Sequence, residues 1–325
     1  MNYLMLSVGR RGELLKDFRK SIPAGSMLIA TDNSPYAPAL YMADKQYIVP
    51  KISDPSYIDC IVKICKDENV RAVTTFIDPE IEILAKYRHT FESIGVEVLA
   101  PYEHTAELCF DKYKMFKYLK EQGIATTMTW GTLAEFDESY KNKQVDFPVF
   151  VKPRTGSGSV GARKVSEYDE LAIAMKENPE LIIQEFMNCL DLDADVYIDT
   201  ISHKAVAAFS KKKIETRIGG ASKTVSFKDE KLFAFIQSVV DVLEFNGPVD
   251  MDFFYRDGQY YLSEVNPRFG GAYLHAYGAG VDFIKLIENN LQGIENKPQF
   301  GNYDEGVVMM MYDSVVIKKQ SELAE

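Results

Sequence analysis

The chain has 325 residues, of which 46% are hydrophobic and 26% are charged, a composition typical of a globular protein with a full core. Its net charge of −11 argues against a nucleic-acid-binding surface, and no apolar run approaches the roughly 18 residues of a membrane-spanning helix. We therefore expect a cytoplasmic protein without nucleic-acid or membrane partners, folded as about two or three compact units.

Residues 1–108 alternate short apolar runs with helical patterns. Tyr3–Val8 and Met27–Thr31 are predicted strands, and Tyr57–Glu68 and Ile81–Ile94 are predicted helices. This order predicts an N-terminal Rossmann-like α/β domain, with a parallel sheet and ligands near the carboxyl ends of its strands.

The turn after the first strand has two interpretations. Asp32 lies 23 residues after Gly9, which is near the spacing of a ribose-binding acid in a dehydrogenase. However, Gly9-Arg10-Arg11-Gly12 lacks the glycine pattern of dinucleotide-binding proteins. An anionic substrate at the following helix N-terminus is the other interpretation of this turn.

Residues 109–187 are predicted to form a second unit that contains a glycine-rich segment. The segment is Gly156-Ser157-Gly158-Ser159-Val160-Gly161, and the strand-like Ala162–Val165 follows it, whereas a dinucleotide-binding turn requires a helix there. A flap between two antiparallel strands, with backbone amides free to bind phosphate, fits better. A hairpin tip without a ligand is the alternative.

Lys152 ends the apolar strand before this segment. Its ammonium group is placed to contact the phosphates that the flap would cover, although a solvated lysine at a strand end is common. No Walker-type motif occurs in the sequence, which argues against a P-loop nucleotidase.

Residues 188–325 are predicted to form a strand-rich third unit with a hairpin near its centre. The strands Val249–Tyr255 and Tyr260–Val265 flank the turn signal Asp257-Gly258. Earlier in this unit, the basic segment Lys211–Arg217 is expected to be a charged loop that either closes over phosphates or is only solvated.

The hairpin carries a candidate metal site. Asp252 and Glu264 lie on opposite arms, Asn266 shares a face with Glu264, and Asp250 competes with Asp252 as the ligand on the first arm. Oxygen ligands without histidine or cysteine favour Mg²⁺ or Mn²⁺. Arg268 follows and is placed to hold a γ-phosphate or acyl phosphate, unless it is a surface arginine.

In this order the motifs resemble those of the ATP-grasp superfamily, and especially its stand-alone proteins similar to the large subunit of carbamoyl-phosphate synthase. The matching stretches run from about Asp111 to Tyr277. The resemblance implies a two-lobed ATP-grasp domain, with a small lobe at 109–187 and a C-terminal lobe at 188–325, after the N-terminal domain. It also implies ATP as cofactor with Mg²⁺ or Mn²⁺.

Residue roles follow from the same resemblance. Arg268, Lys213 and Arg217 would be catalytic. Nucleotide contacts would come from two lysines, the glycine flap, the segment that lines the adenine pocket and one acid near the ribose: Lys112, Lys152, Gly156, Ser157, Gly158, Ser159, Val160, Gly161, Gln184, Glu185, Phe186, Met187 and Asp191. The segment before Asp191 lacks the family's usual Pro-Gly. Asp252, Glu264 and Asn266 would bind the metal.

The implied activity is a carbon–nitrogen ligase that phosphorylates a carboxylate and couples the acyl phosphate to an amine. Phosphorylation of carbamate or bicarbonate and catalytically silent ATP binding are the alternatives. The expected partners are a small-molecule carboxylate and amine, and a homodimer is an open alternative to a monomer.

Overall fold

The computed structural model describes residues 1–156, 161–217 and 220–324. Within these residues the chain forms three sheets, one parallel and two antiparallel. The mixed α/β class predicted from the sequence is therefore confirmed. The division at residues 108 and 187 stays a prediction.

The N-terminal sheet is parallel, with the strand order β3-β2-β1-β4-β5. Its strands are β1 (Asn2–Leu6), β2 (Leu28–Asp32), β3 (Lys45–Ile48), β4 (Val70–Thr75) and β5 (Glu97–Val98), and the helices around it are α1 (Gly12–Ser21), α2 (Tyr57–Asp67), α3 (Asp78–Lys86), α4 (Arg88–Glu92) and α5 (Glu103–Phe110), with a short 3₁₀ helix at Pro38–Met42. Tyr3 and Met5 pack with α1, whereas Leu4 and Leu6 pack with α2 on the other face. Helices thus cover both faces of the sheet.

The second sheet is antiparallel, with the order β6-β9-β7-β8. Its region contains α6 (Lys112–Glu121), β6 (Thr129–Trp130), α7 (Leu133–Lys141), β7 (Val149–Pro153), β8 (Arg163–Val165), α8 (Tyr168–Glu177) and β9 (Leu181–Glu185). Asp111 caps α6 by accepting the backbone N–H groups of Tyr113 and Lys114, which fixes the helix start beside Lys112. The glycine-rich segment joins the paired strands β7 and β8, as predicted.

The third sheet is also antiparallel and has the order β14-β13-β10-β11-β12-β15. Its elements are β10 (Leu190–Ile198), β11 (Ala205–Arg217), β12 (Gly220–Phe227), α9 (Glu230–Val240), β13 (Gly247–Arg256), β14 (Gln259–Asn266), α10 (Tyr273–Gly278), α11 (Phe283–Leu291) and β15 (Val308–Met310), with a 3₁₀ helix at Gln320–Glu322. Asp257 and Gly258 turn the hairpin with φ angles of +53° and +84°, the left-handed values typical of two-residue hairpin turns.

The N-terminal domain and the last lobe share one hydrophobic core. Phe18 of α1 contacts Phe269 with a ring-centroid distance of 5.2 Å, and Phe269 contacts Tyr273 of α10. Tyr3 belongs to the same cluster. This packing holds the carboxyl ends of β1 and β4 against the segment that follows the hairpin.

Two expectations from the sequence were wrong in detail. The helix predicted at Ile81–Ile94 is divided at Tyr87 into α3 and α4. The basic segment Lys211–Arg217 is not a loop but the second half of β11. Lys211 can lie in a buried strand because its ammonium group pairs with buried carboxylates on the neighbouring strand.

Within the described residues, no helix has the length and apolar character that crossing a bilayer would require.

His275 on α10 gives the fold a pH-dependent stability. Its ring is 3% exposed, and Nδ1 lies 2.8 Å from the Thr224 hydroxyl. Burial and the nearby Lys211 ammonium lower its pKa from 6.5 to about 4, against smaller opposing effects of the Val307 backbone and Asp193. Its contribution to stability is therefore present above pH 6.5 and is lost as the pH falls towards 4.

We expect His275→Gln to weaken this pH dependence. Between neutral pH and about pH 5, the free energy of unfolding should fall by about 2 kcal/mol less in the variant than in the wild type. Urea unfolding at the two pH values measures the difference. Exposed His89, replaced by Gln, is the control, and an equal loss in His275→Gln and wild type would contradict the prediction.

Candidate active site

The hairpin brings the predicted metal ligands into register. Asp252 lies opposite Glu264, and Asp250 lies opposite Asn266, whose side-chain amide donates to Asp250 Oδ2 at 3.4 Å. Facing residues of paired strands project from the same side of a sheet, so the two predicted faces coincide.

Two carboxylates on the neighbouring strand β10 join the hairpin acids to form an acidic cluster. They were not predicted from the sequence. Asp193 lies opposite Asp252, and Asp195 lies opposite Asp250. Both are buried. The period-two spacing of Asp191, Asp193 and Asp195 was the available signal, because alternate residues of a strand share a face.

Two lysines of β11 neutralise part of the acidic cluster. Lys211 is fully buried and ion-pairs with Asp195 and, at 2.8 Å, with Asp193. Lys213 ion-pairs with Asp252 and, at 2.9 Å, with Asp191. Although burial opposes it, the carboxylates raise the pKa of both lysines. Lys213 was predicted to be catalytic and Asp191 to contact ribose, and in the structure these two side chains form an ion pair.

Asp252 and Glu264 are the two hairpin acids that were predicted from the sequence to bind a metal ion. Their side chains are 21% and 29% exposed. Burial, followed by the charges of Asp193 and Glu264, raises the pKa of Asp252 to about 6 against the effect of Lys213. Burial likewise raises the pKa of Asp250.

The donor set fits a magnesium ion shared with a nucleotide. Among the described residues no three histidine, cysteine or acidic side chains form a closed metal site. Mg²⁺ does not require one, because it is usually bound by one or two carboxylates together with substrate phosphates. Asp252 and Glu264 would supply the two carboxylates, and the Asn266 carboxamide lies beside them.

The predicted phosphate-binding lysines lie next to these acids. Lys112 Nζ is 3.3 Å from Glu264 Oε1 and donates to the Gly156 carbonyl. Lys152 on β7 is buried among Glu264, Lys112 and Asp252, and burial lowers its pKa. In the predicted flap, Gly156 and Gly161 are described, whereas Ser157, Gly158, Ser159 and Val160 lie outside the described residues.

Two cavities lie beside the acids, and Cys109, Glu264 and Val265 line both of them. One extends to Gln184, with Met115, Phe116 and Leu262 as apolar lining that suits a nucleobase. The other extends to Asp78 and Asn266. Glu264 is therefore common to a cavity that reaches Gln184 and to one that reaches Asp78.

The residues predicted to line the adenine pocket lie at and after the end of β9. Gln184 donates to the Thr129 hydroxyl at 3.0 Å, and Glu185 accepts the backbone N–H of Met128 at 3.0 Å. Phe186 packs under the Lys164 ammonium at 4.5 Å, and Met187 is buried.

The predicted catalytic arginines have different surroundings. Arg268 Nε is 2.7 Å from Asp78 Oδ1 at the start of α3, and its Nη1 is 3.8 Å from Asp250 Oδ2. Despite burial, Asp78 and Asp250 raise the pKa of Arg268. Arg217, in contrast, is 60% exposed and pairs with Asp313. Within the described residues the structure does not bring Arg217 to the acidic cluster.

Gly270 allows the backbone after Arg268 to approach the acids. A Cβ atom at this position would lie 2.6 Å from Asp195 Oδ1 and 2.7 Å from Asp250 Oδ1. We expect Gly270→Ala to lower the free energy of unfolding by about 2–4 kcal/mol, because the added methyl group would overlap two buried carboxylates.

The matched control is Gly278→Ala at the end of α10, where a Cβ atom meets nothing within 4 Å. Urea unfolding should show a change of no more than about 1 kcal/mol for this variant. Equal effects of the two substitutions would show that the close approach at Gly270 is unimportant.

A cleft with lysines on one antiparallel lobe and carboxylates on the next defines a nucleotide-dependent enzyme of the ATP-grasp class. Residues 109–272 match the ATP-grasp domain family, and residues 3–99 match the family described as PylC-like, N-terminal domain. The chain belongs to the ATP-grasp family. The predicted enzyme class, an ATP-grasp ligase, is confirmed.

Individual relatives agree with this assignment. The chain is 26% identical over 260 residues to a D-alanine–D-alanine ligase of Bacillus anthracis, an alignment that covers 70% of this chain and 84% of the relative. A D-alanine–D-alanine ligase of Nitratiruptor is 26% identical over 190 residues, which are 53% of this chain and 54% of that protein. This chain thus spans about half the length of the Nitratiruptor relative.

A solved structure shows the same fold. N5-carboxyaminoimidazole synthetase from Staphylococcus aureus, complexed with ADP, superposes with a TM-score of 0.73 at 16% identity, covering 92% of this chain and 79% of that chain. The predicted N-terminal α/β domain followed by an ATP-grasp domain is confirmed by this likeness and by the family matches.

Proposed function

We propose that the protein uses ATP and Mg²⁺, with Mn²⁺ as a substitute, to phosphorylate a small-molecule carboxylate and to couple the acyl phosphate to an amine. The observation that carries this proposal is the convergence of Lys112, Lys152, Asp252 and Glu264 beside a cavity that is lined in part by apolar side chains. The names of the relatives, which are ligases and a synthetase, support a reaction of this kind.

The groups at the site have different parts in the proposed reaction. The pocket at Gln184 would hold the base, and Lys112 and Lys152 would hold the phosphates. A bound Mg²⁺ would supply positive charge to the β- and γ-phosphates, and Asp252, Glu264 and Asn266 would hold it. Arg268 would lie beside the transferred group and stabilise its charge.

The bond changes balance without a further co-reactant. A carboxylate oxygen of the substrate attacks the γ-phosphorus, and the bond to the ADP oxygen breaks. The amine nitrogen then attacks the acyl carbon, phosphate leaves, and the amine loses a proton. Much of the rate acceleration would come from holding the three reactants in line between the two lobes.

The test is ATP-dependent phosphate release over a panel of carboxylates crossed with amines, with hydroxylamine added separately to trap an acyl phosphate. Phosphate release that needs both a carboxylate and an amine supports the ligase. Release with bicarbonate alone would instead indicate carbamate or bicarbonate phosphorylation, which the comparisons do not favour. Binding of Mg-ADP without any release would indicate a silent ATP-binding protein.

Homodimerisation stays a prediction from the sequence. Sedimentation velocity of the purified chain, with and without Mg-ADP, would measure it.

A further inference from the structure

Residues 307–317 form a hydrophobic stretch on the surface of the last lobe. Nine of these eleven residues are hydrophobic, and Asp313 and Ser314 are the exceptions. Four of the side chains are largely exposed to solvent: Met310 (66%), Tyr312 (85%), Val315 (81%) and Ile317 (88%). A run of large apolar side chains exposed together is typical of a surface that binds another molecule.

The strand in this stretch, β15, has one open edge. β15 pairs with β12 and is the last strand of the third sheet. The Val307 carbonyl accepts a hydrogen bond from β12 and the Met311 N–H donates one to it, each at 2.9 Å. Because alternate residues of an antiparallel strand direct their backbone groups to opposite edges, those of Val308 and Met310 point away from β12. Within residues 1–156, 161–217 and 220–324, no strand pairs with that outer edge.

The chain continues past β15 without folding back on itself. Residues 311–319 contain no helix, turn or bend. A strand edge that is exposed and hydrophobic is a template for pairing with another chain. The stretch therefore offers unpaired main-chain groups and apolar side chains to the same partner.

Charges at the two ends of the stretch favour a second copy of the chain as that partner. Two acids precede the stretch and two lysines follow it: Asp304, Glu305, Lys318 and Lys319. The one charge between them, on Asp313, is paired with Arg217 at 3.1 Å. Antiparallel pairing of two copies places the acidic end of each beside the basic end of the other, whereas parallel pairing places like charges together.

The hydrophobic residues select the register of such a pair. In a dimer with two-fold symmetry, the residue at the axis faces its own counterpart. A pair centred on Tyr312 places Val307 opposite Ile317 of the second copy and Met309 opposite Val315. It also brings the two tyrosines together, and facing aromatic and β-branched side chains are favourable cross-strand pairs.

We propose that two copies of this chain associate through residues 307–317, with β15 of one copy antiparallel to β15 of the other and Tyr312 at the two-fold axis. The third sheet then continues from one copy into the next, and the main-chain groups of both open edges are paired. The exposed apolar side chains leave water in the same step, which drives the association. Residues 307–317 include none of the residues assigned to the proposed reaction, so the association does not depend on it.

Sedimentation velocity of the full chain over about 1 to 100 µM tests the association. The wild type is expected to sediment as a dimer at the upper end of this range. Val315→Lys should raise the dissociation constant roughly tenfold or more, because it places a charge within the apolar contact. Ile173→Lys makes the same kind of change at an isoleucine of α8 that is 57% exposed, and it should leave the dissociation constant unchanged.

A second variant acts on the main chain. Met310→Pro removes an N–H group that points away from β12, whereas the hydrogen bonds of the neighbouring residues to β12 can persist. It should weaken the dimer to a similar extent. Thermal unfolding shows whether each variant is folded.

Cross-linking tests the position of the two-fold axis. On mild oxidation, Tyr312→Cys should form a disulfide between two copies, seen as a band of doubled mass on a non-reducing gel, whereas the wild type and Ile173→Cys should not. A wild type that stays monomeric throughout the concentration range overturns the proposal, because another molecule must then cover the stretch. A dimer that survives both Val315→Lys and Met310→Pro, or that is not cross-linked in Tyr312→Cys, overturns it as well.

Discussion

Replacing Lys152 by methionine is expected to reduce ATP-dependent phosphate release by roughly 10²- to 10³-fold and to weaken Mg-ADP binding at least about tenfold. Lys152 is buried at the end of β7, and burial lowers its pKa because its charge is poorly solvated there. Nucleotide phosphates would add counter-charge to that of Glu264 and Asp252. Methionine preserves the length and the packing but provides no charge.

The control for this prediction is Lys176→Met, an exposed lysine on α8 of the same lobe. Phosphate release and calorimetric titration with Mg-ADP should not distinguish that variant from the wild type. Thermal unfolding separates a binding defect from misfolding, since removing a buried charge is not expected to destabilise the free protein. If the Lys152→Met variant binds Mg-ADP normally, Lys152 does not contact the nucleotide and the prediction is wrong.

Glu264→Gln is expected to abolish the effect of Mg²⁺ on nucleotide binding and to reduce phosphate release roughly 10²-fold or more. Glu264 lies opposite Asp252, and its Oε1 is 3.3 Å from Lys112 Nζ. Glutamine has the same shape and can still accept a hydrogen bond from Lys112, but it provides no negative charge for a cation. ADP affinity should therefore be similar with Mg²⁺ and with EDTA.

Glu177→Gln, at the exposed end of α8, is the matched control for the loss of one carboxylate. The measurement is the ratio of ADP dissociation constants with Mg²⁺ and with EDTA, repeated with Mn²⁺ for each protein. A ratio in Glu264→Gln equal to that of the wild type would mean that the metal, if bound, is held elsewhere.

Part of the candidate site could be predicted because its residues are neighbours in one hairpin. Alternation along two strands and the turn at Asp257-Gly258 are enough to place Asp252 opposite Glu264. Lys152 could be singled out for a similar reason, since it ends an apolar strand directly before a glycine-rich segment. These inferences need only local periodicity and turn chemistry.

Other parts could not be predicted because they depend on pairing between distant segments. The segment Lys211–Arg217 was predicted to be a charged loop, either closing over phosphates or solvated. Only the register of β10 with β11 shows that Lys211 is buried beside Asp193 and Asp195. The same register leaves Arg217 far along the strand, exposed and paired with Asp313. A charged run alone does not reveal which of its members has a buried partner.

The sequence by itself determined the parallel N-terminal sheet, the hairpin with its two facing acids and the position of the glycine-rich connection, since each follows from periodicity within a few neighbouring residues. The tertiary structure alone decided that Arg268 pairs with Asp78 and that Arg11 lies beside Gly271. Those contacts join segments about 190 to 260 residues apart, and they exist because Phe18 and Phe269 pack the N-terminal domain onto the last lobe. Such packing depends on the shapes of both surfaces, and these shapes cannot be predicted from a local sequence pattern.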